Sequence, residues 1–384
     1  MKNVLFVSHS SELNGAELWL LATLRGLDRG AYLPCLVVPR PGPLADAARA
    51  AGVETRVVPM KWSITERNRI WRQPFAGLYN IMSVKRIARM IGRERIDLVF
   101  TNSAAVFSGA KAAWRLGIPH VWAVHEVLGG DAPFLHSIYG PRALARYILA
   151  MSAKVIVNSK LTASAFANSP SVVIVPNGLA IGVPDPRRRE ALRADLGLPA
   201  DGFAAAIVGK IYEGKGQREA VRAAALLAPR HPGFRLLVIG GVGDEAYARS
   251  LREFVAAEGL EKHVLFLGYR PDLADILSLA GAVVVASVVE SFGRAALEGM
   301  AASVPVVAVR AGGSSEVVRP GVNGFLLDSR EPAEIARGLE FLLANPAAAA
   351  AAVEGGYRTV REDYSLERQI RGVERALADA LGTA

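Results

Sequence analysis

The sequence predicts an α/β protein built from two doubly wound parallel-sheet domains. Three observations point there: a length of 384 residues, thirteen short apolar runs rich in Val and Ile with helix-like stretches between them, and an interval rich in Pro, Gly and charge that divides the runs into seven and six. A prior of about 150 residues per domain makes the chain too long for one ordinary core. The runs are near-continuous rather than alternating in polarity, as strands are when both faces of their sheet are covered. With 51% hydrophobic and 21% charged residues, the chain can bury large cores and lacks the polar bias of disorder.

The first seven runs are NVLFVS, LPCLVV, VETRVVP, DLVFTNS, HVWAVHE, KVIVNS and VVIVPNG, ending near Gly178. The interval GLAIGVPDPRRREALRADLGLPADG, Gly178 to Gly202, reads as a domain crossing, so a first domain is expected over 1–182 and a second over 183–364. The second set is FAAAIVG, RLLVIGG, HVLFLGY, AVVVASV, VPVVAVR and GFLLD. The Ala-rich stretch Asn345 to Val353 is a strong helix former. The amphipathic run SLERQIRGVERALADAL predicts a closing helix over about 365–384, packed on a domain. Open α/β sheets bind ligands at the carboxyl ends of their strands, so two facing sheets are expected to make one central cleft.

Charge divides unevenly. Residues 1–190 hold 24 Lys and Arg against 12 Asp and Glu, and the remainder holds 21 against 24, which gives the overall +9. A basic first half predicts an anionic partner there, whether a phosphorylated substrate, a lipid headgroup surface or nucleic acid, or else a solvated basic face. No nucleic-acid motif accompanies the charge, and no nucleic acid is expected as partner. Cys35, the single cysteine, excludes a disulfide framework and a Cys-ligated metal site. The apolar run after Lys2 is too short for a signal segment and no stretch reaches about 18 uninterrupted apolar residues, so a cytoplasmic location is expected.

Four loops carry candidate chemistry. GKIYEGKGQ, Gly209 to Gln217, nearly spells a Walker A loop, but Gly216 stands where Ser or Thr must ligate Mg²⁺. What survives is a strand-loop-helix junction with Lys210 and Lys215, suited to a phosphate or to a plain surface turn. GGVGDEA holds a weak dinucleotide pattern, and the next strand ends in Tyr269 and Arg270 where a ribose-binding acid would be needed. In VVESFGRAALEGMA, Glu290 closes a strand, Ser291, Phe292 and Gly293 form the turn, and Arg294 opens a helix that carries Glu298. Helix-start amides with Lys210, Lys215 and Arg294 can hold a diphosphate, while ionised Glu, an acceptor only, suits the O–H donors of a sugar diol. Both acids also read as ordinary helix-start and helix-surface residues. Gly312 and Gly313 add an amide-rich loop after the next strand. In the first half, Gly15 of NGAE opens a helix after the first strand, and His125 ends HVWAVHE beside Glu126, where it is structural or functional.

Together these residues resemble the retaining glycosyltransferases of the GT-B fold, family 4 (glycosyl transferases group 1). The resemblance is carried by the E-x7-E element Glu290 and Glu298 with GMAASVPVVAVRAGGSSEVV and GVNGFLL after it, and by NGAE, VHE, Asn158–Ser159, VPNG and the G-K…K-G loop in family order. It implies that Glu298 binds the donor nucleotide's ribose, that Glu290 and the Ser291, Phe292 and Gly293 amides hold the transferred sugar, and that Lys210 and Lys215 hold the diphosphate. Gly15 would close on the diphosphate, His125 would contact the sugar near its anomeric carbon, and the C-terminal helix would return to the first domain. Lys210 stands where Arg is usual, which replaces a bidentate fork with a point charge.

The expected reaction moves a sugar from a UDP-, GDP- or ADP-sugar to an acceptor hydroxyl, with retention implied by the resemblance. No D-x-D pair is present to hold a divalent ion, so no metal and no cofactor are expected. Residues 61–79 combine Trp62, Trp71, Phe75 and Tyr79 with basic residues including Arg72. That segment suits a saccharide or lipid-linked acceptor, with peripheral contact to an anionic membrane at its inner face, or else reads as a carbohydrate-stacking or merely irregular loop. Rival readings are a P-loop NTPase and a non-catalytic nucleotide-sugar binder or same-fold epimerase.

Overall fold

The computed structural model describes residues 1–65, 67–129, 136–181 and 186–382. All thirteen apolar runs are strands. In the first sheet β1 (Lys2–Ser8), β2 (Tyr32–Val38), β3 (Glu54–Val57), β4 (Leu98–Asn102), β5 (His120–Val124), β6 (Lys154–Val157) and β7 (Val172–Ile174) lie in the order β3-β2-β1-β4-β5-β6-β7. In the second, β8 (Ala204–Val208), β9 (Arg235–Ile239), β10 (Val264–Gly268), β11 (Ala282–Val285), β12 (Val306–Val309) and β13 (Phe325–Leu327) lie in the order β10-β9-β8-β11-β12-β13. Every pairing is parallel. Strand order reverses between β1 and β4 and again between β8 and β11, and such switch points are where ligands bind in open sheets.

The chain divides into two units, Met1–Gly178 with Leu366–Ala384, and Leu179–Ser365. The domain boundary expected at 182/183 lies outside the described residues. In the first unit, β4 and β5 are buried along their whole length, which explains their apolar centres, and the buried polar residues at their ends, Thr101 and His120, bond each other at 2.8 Å. One sheet face packs on the helices Gly15–Gly26, Pro43–Ala50 and Leu366–Leu381, with Phe6, Trp19, Phe100 and Leu377 in a common core. The last of these helices is held by polar contacts as well as apolar ones. Gln369 is buried, accepts from Gly178 N at 2.7 Å and donates to Trp19 O at 3.1 Å and Thr23 Oγ1 at 2.9 Å. Thr23 Oγ1 also donates to Trp19 O at 3.0 Å, so Gln369 joins a buried polar network whose members are paired.

In the second unit, β11 and β12 are likewise fully buried, between one core that includes the helices Gln217–Leu227 and Pro332–Ala344 and another that includes Arg294–Ala301. Gly216 precedes the first of these helices at φ +84°, and a Cβ added there would lie 2.2 Å from Ala286 O, just past β11. The hydroxyl that a Walker A loop needs is therefore excluded by backbone packing, not merely absent. Gly214 has φ +101°, but a Cβ added there would make only an ordinary contact, 3.9 Å from Tyr212 Cε2. Gly216→Ser is expected to destabilise the second unit by about 3 kcal/mol, and Gly214→Ala by only about 1 kcal/mol from backbone strain, measured by denaturant unfolding.

Candidate functional site

The loops at the carboxyl ends of β8, β9, β11 and β12 are tied together by backbone hydrogen bonds. Val288 N donates to Gly214 O at 2.8 Å, Gly313 N to Glu290 O at 2.6 Å, and Gly243 N to Ile211 O at 2.9 Å. Gly313 sits so close to the turn that an added Cβ would meet Phe292 Cα at 2.5 Å. Gly293, at φ +101°, lets the chain reverse into the helix Arg294–Ala301.

This framework brings the basic and acidic candidates together in pairs. Lys215 Nζ donates to Glu290 Oε2 at 2.9 Å, and Ser287 Oγ donates to the same oxygen at 3.0 Å. Arg294 Nε donates to Glu298 Oε1 at 2.8 Å, one helical turn along. Burial works against the Lys215 ammonium, but the Glu290 carboxylate and the Tyr212 phenol beside it carry its pKa above the ordinary lysine value. Burial raises the Glu298 pKa, with Arg294 opposing and Glu290 and Lys215 close enough to be felt. Lys215, Glu290, Arg294 and Glu298 thus form one electrostatic cluster at the β8/β11 switch point. It offers cationic donors for an anion and carboxylate acceptors for hydroxyls.

Lys210 is exposed, and its carbonyl accepts from Gln217 Nε2 at 2.9 Å. The Phe292 side chain does not face a ligand: it is buried in the core and packs edge-on against Tyr364, which leaves only its backbone for the expected sugar contact. Ser291 is half-buried. Tyr269 is exposed just beyond β10, and Arg270 is held in a two-pronged pair with Asp272 at 2.8 and 2.7 Å, which commits its guanidinium locally.

In the first unit, His125 follows β5 and is half-buried. Its Nε2 lies 2.8 Å from Asn102 Oδ1, while Asn102 Nδ2 donates to Ala16 O at 3.2 Å. That second bond fixes the amide orientation, so His125 Nε2 carries the proton and Nδ1 is left as an acceptor. Trp19 packs edge-on against the ring at 4.9 Å. Burial pushes the His125 imidazole down to about 3, with His9 adding to the shift, so the ring is neutral at physiological pH. Glu126 knits the turn, accepting from His125 N at 3.0 Å, Ala104 N at 3.1 Å and Ser103 Oγ. Gly15 opens its helix as expected from NGAE, and Glu17 of that motif is buried, accepting from Asn14 N at 3.1 Å and lying 3.1 Å from His9 Nε2.

Trp62, Trp71 and Arg72 line one cavity of about 390 Å³ with Lys61, Thr65 and Phe75. Trp62 Nε1 donates to His9 O at 3.0 Å, and the Arg72 guanidinium lies 5.1 Å from the centre of the Trp71 ring. Sequence reasoning missed Ser287, Tyr212, Asn102 and His9. Asn102 alone had a readable signal, as the last residue of a buried strand.

Two family descriptions match the chain, "Glycosyl transferase 4-like domain" over residues 14–178 and "Glycosyl transferases group 1" over 188–359. The chain belongs to the glycosyl transferases group 1 family. It is similar to the D-inositol 3-phosphate glycosyltransferases of Acidothermus cellulolyticus, 30% identical over 71% of this chain and 64% of that protein, and of an Arthrobacter species, 31% identical over 70% and 67%. The chain thus spans about two thirds of the length of these curated relatives. In fold it matches HepE of Anabaena, solved in complex with UDP-glucose, with a TM-score of 0.82 at 23% identity over 98% of this chain and 100% of that one. Both sheets are those of a GT-B glycosyltransferase.

Two measurements probe this site without substrate. Lys215→Met, which strands a buried carboxylate, is expected to cost about 3 kcal/mol of stability, and adding Glu290→Gln should restore most of it. His125 and the core residue His120 both have pKa values pushed down to about 3 by burial, against an ordinary 6.5. Unfolding then takes up protons that the native state excludes, so each histidine should lower stability by about 1.4 kcal/mol per pH unit as pH falls from 6.5 to 5. His120→Asn should flatten that slope in a pH series of denaturant melts.

Proposed function

We propose that this glycosyltransferase moves a sugar from a nucleoside-diphosphate sugar to an acceptor hydroxyl of a saccharide or lipid-linked saccharide, with retention of configuration and without a divalent metal. The observation that carries this reading is the cluster of Lys215, Glu290, Arg294 and Glu298, with the E-x7-E spacing, on the tied loops at the β8/β11 switch point. Glu298 accepts hydrogen bonds from the donor ribose. Glu290 and the backbone of Ser291, Phe292 and Gly293 hold the transferred sugar, and Lys215 with Lys210 and Arg294 stabilises the diphosphate.

During transfer the anomeric C–O bond to the diphosphate breaks and the bond from the acceptor oxygen forms. The acceptor proton passes to an oxygen of the departing diphosphate, so no protein nucleophile is required. The charge that develops on the leaving group falls beside Lys215, whose pairing with Glu290 keeps the ammonium both charged and fixed in place before substrate arrives. In the first unit, the family resemblance gives His125 contact with the sugar and Gly15 closure on the diphosphate. A neutral imidazole accepting at Nδ1 suits a sugar hydroxyl and adds no cation near a developing oxocarbenium centre.

The Trp62, Trp71 and Arg72 cavity is assigned to the acceptor. An acceptor panel should include lipid-linked saccharides and also inositol 3-phosphate, the acceptor in the relatives' name. A thermal-shift screen of UDP-, GDP- and ADP-sugars identifies the donor, because a ligand that binds only the native state raises Tm. Glu298→Ala is expected to weaken donor nucleotide binding about tenfold or more, whereas Glu290→Ala and His125→Ala lower kcat about a hundredfold with little change in donor affinity. Unchanged kinetics in all three variants would overturn the assignment, and turnover lost to a chelator and restored by Mg²⁺ would overturn metal independence.

A further inference from the structure

The helix Gln73–Arg93 carries two faces of opposite character. Gln73, Ala76, Asn80, Ser83, Val84 and Ile87 are buried against the first unit. On the opposite strip Phe75 and Leu78 are 68% and 69% exposed, Tyr79 and Met82 45% and 51%, and the strip continues at the same helical spacing into exposed Lys85, Arg86, Arg89 and Arg93. The helix has 21 residues, hence about 31 Å, and its outward side changes from apolar to basic halfway along. Trp71 just before it is 61% exposed, and Ile138 and Tyr139, anchored to the first turn by a 3.1 Å bond from Ile138 N to Gln73 Oε1, extend the apolar end. Residues 67–93 hold seven Lys and Arg and no Asp or Glu.

We propose that this strip docks the protein on an anionic phospholipid surface, with the helix lying along it, Leu78 and Met82 among the acyl chains and Lys85 and Arg89 on the headgroup phosphates. An exposed contiguous apolar patch marks an interaction site, and a run of cations beside it selects a negatively charged partner that also offers hydrocarbon. Nucleic acid supplies the charge but no cover for aliphatic side chains. A second copy pairing isologously through the apolar halves would leave Lys85, Arg86, Arg89 and Arg93 without an anionic counterpart. Among the described residues no helix is long and apolar enough to cross a membrane. The inference deepens the acceptor reading above, since the strip adjoins the Trp62 and Trp71 cavity and would hold it near a lipid-linked acceptor. Docking itself needs no acceptor.

Flotation of the full chain with phosphatidylcholine vesicles, with and without phosphatidylglycerol, tests it. The wild type is expected to float only with the anionic vesicles. Each basic residue at such a surface contributes roughly a fivefold gain in partitioning, so Lys85→Glu with Arg89→Glu should lower binding about twentyfold or more. Leu78→Ser with Met82→Ser should lower it at least about tenfold at the same lipid composition. Both variants should keep the wild-type Tm and the donor-induced thermal shift, which separates lost docking from lost folding and from failure of the transfer reading. Wild-type protein that stays unbound with anionic vesicles, flotation unchanged in both variants, or a concentration-dependent dimer abolished by Leu78→Ser with Met82→Ser would overturn the proposal.

Discussion

Three loops of the second unit behave as one body because backbone amides bridge them: Val288 reaches the β8 loop and Gly313 reaches Glu290 on the β11 loop, with glycines at the points of closest approach. Everything proposed for the donor depends on that constraint. A lysine from one loop and a glutamate from another, 75 residues apart, can be held at 2.9 Å only if their backbones cannot drift. The resulting pair is partly buried, so its desolvation must be offset by good geometry, which Ser287 improves by filling a further lone pair of the carboxylate. Electrostatic preorganisation of this kind spends its reorganisation cost during folding, before any substrate is bound.

The first unit uses a different device. Its histidine is kept neutral by burial and its tautomer is set by an asparagine whose own orientation is fixed by a helix carbonyl. Charge is therefore concentrated on the loops of β8 and β11, while the first unit offers an uncharged acceptor at His125 and keeps its surplus cations on the outside. The +12 of residues 1–190 is not a diffuse property: much of it lies on one helix and the segment leading into it.

The strands were legible because parallel strands covered on both faces are near-continuously apolar, a rule from which the largely exposed edge strand β3, Glu-Thr-Arg-Val, departs. Glu290 and Glu298 stood out because a strand end, a Phe-Gly turn and a helix start followed one another in the sequence. Their partners were less readable. Arg294 is one turn from Glu298, whereas the link from Lys215 to Glu290 is tertiary and has no local trace. The direction of the Phe292 side chain was not readable either, since a turn residue has no periodicity to say which way it points; the core took its ring and left its backbone at the turn. The segment after Lys61 read as an aromatic and basic stretch with no regular element, because exposed apolar residues on both sides of its helical strip blur the amphipathic pattern that marks a helix.

The closing helix has a consequence for biosynthesis. Residues Leu366–Leu381 complete a core begun by β1, so the first unit cannot finish packing until they have been synthesised, and Gln369 meets Trp19 and Thr23 only after the whole intervening unit has been made. The intervening unit, contiguous in the chain, has no such wait. Between the two units, order of emergence from the ribosome is thereby inverted in order of maturation, and the earlier sheet spends the longer time with an uncovered flank.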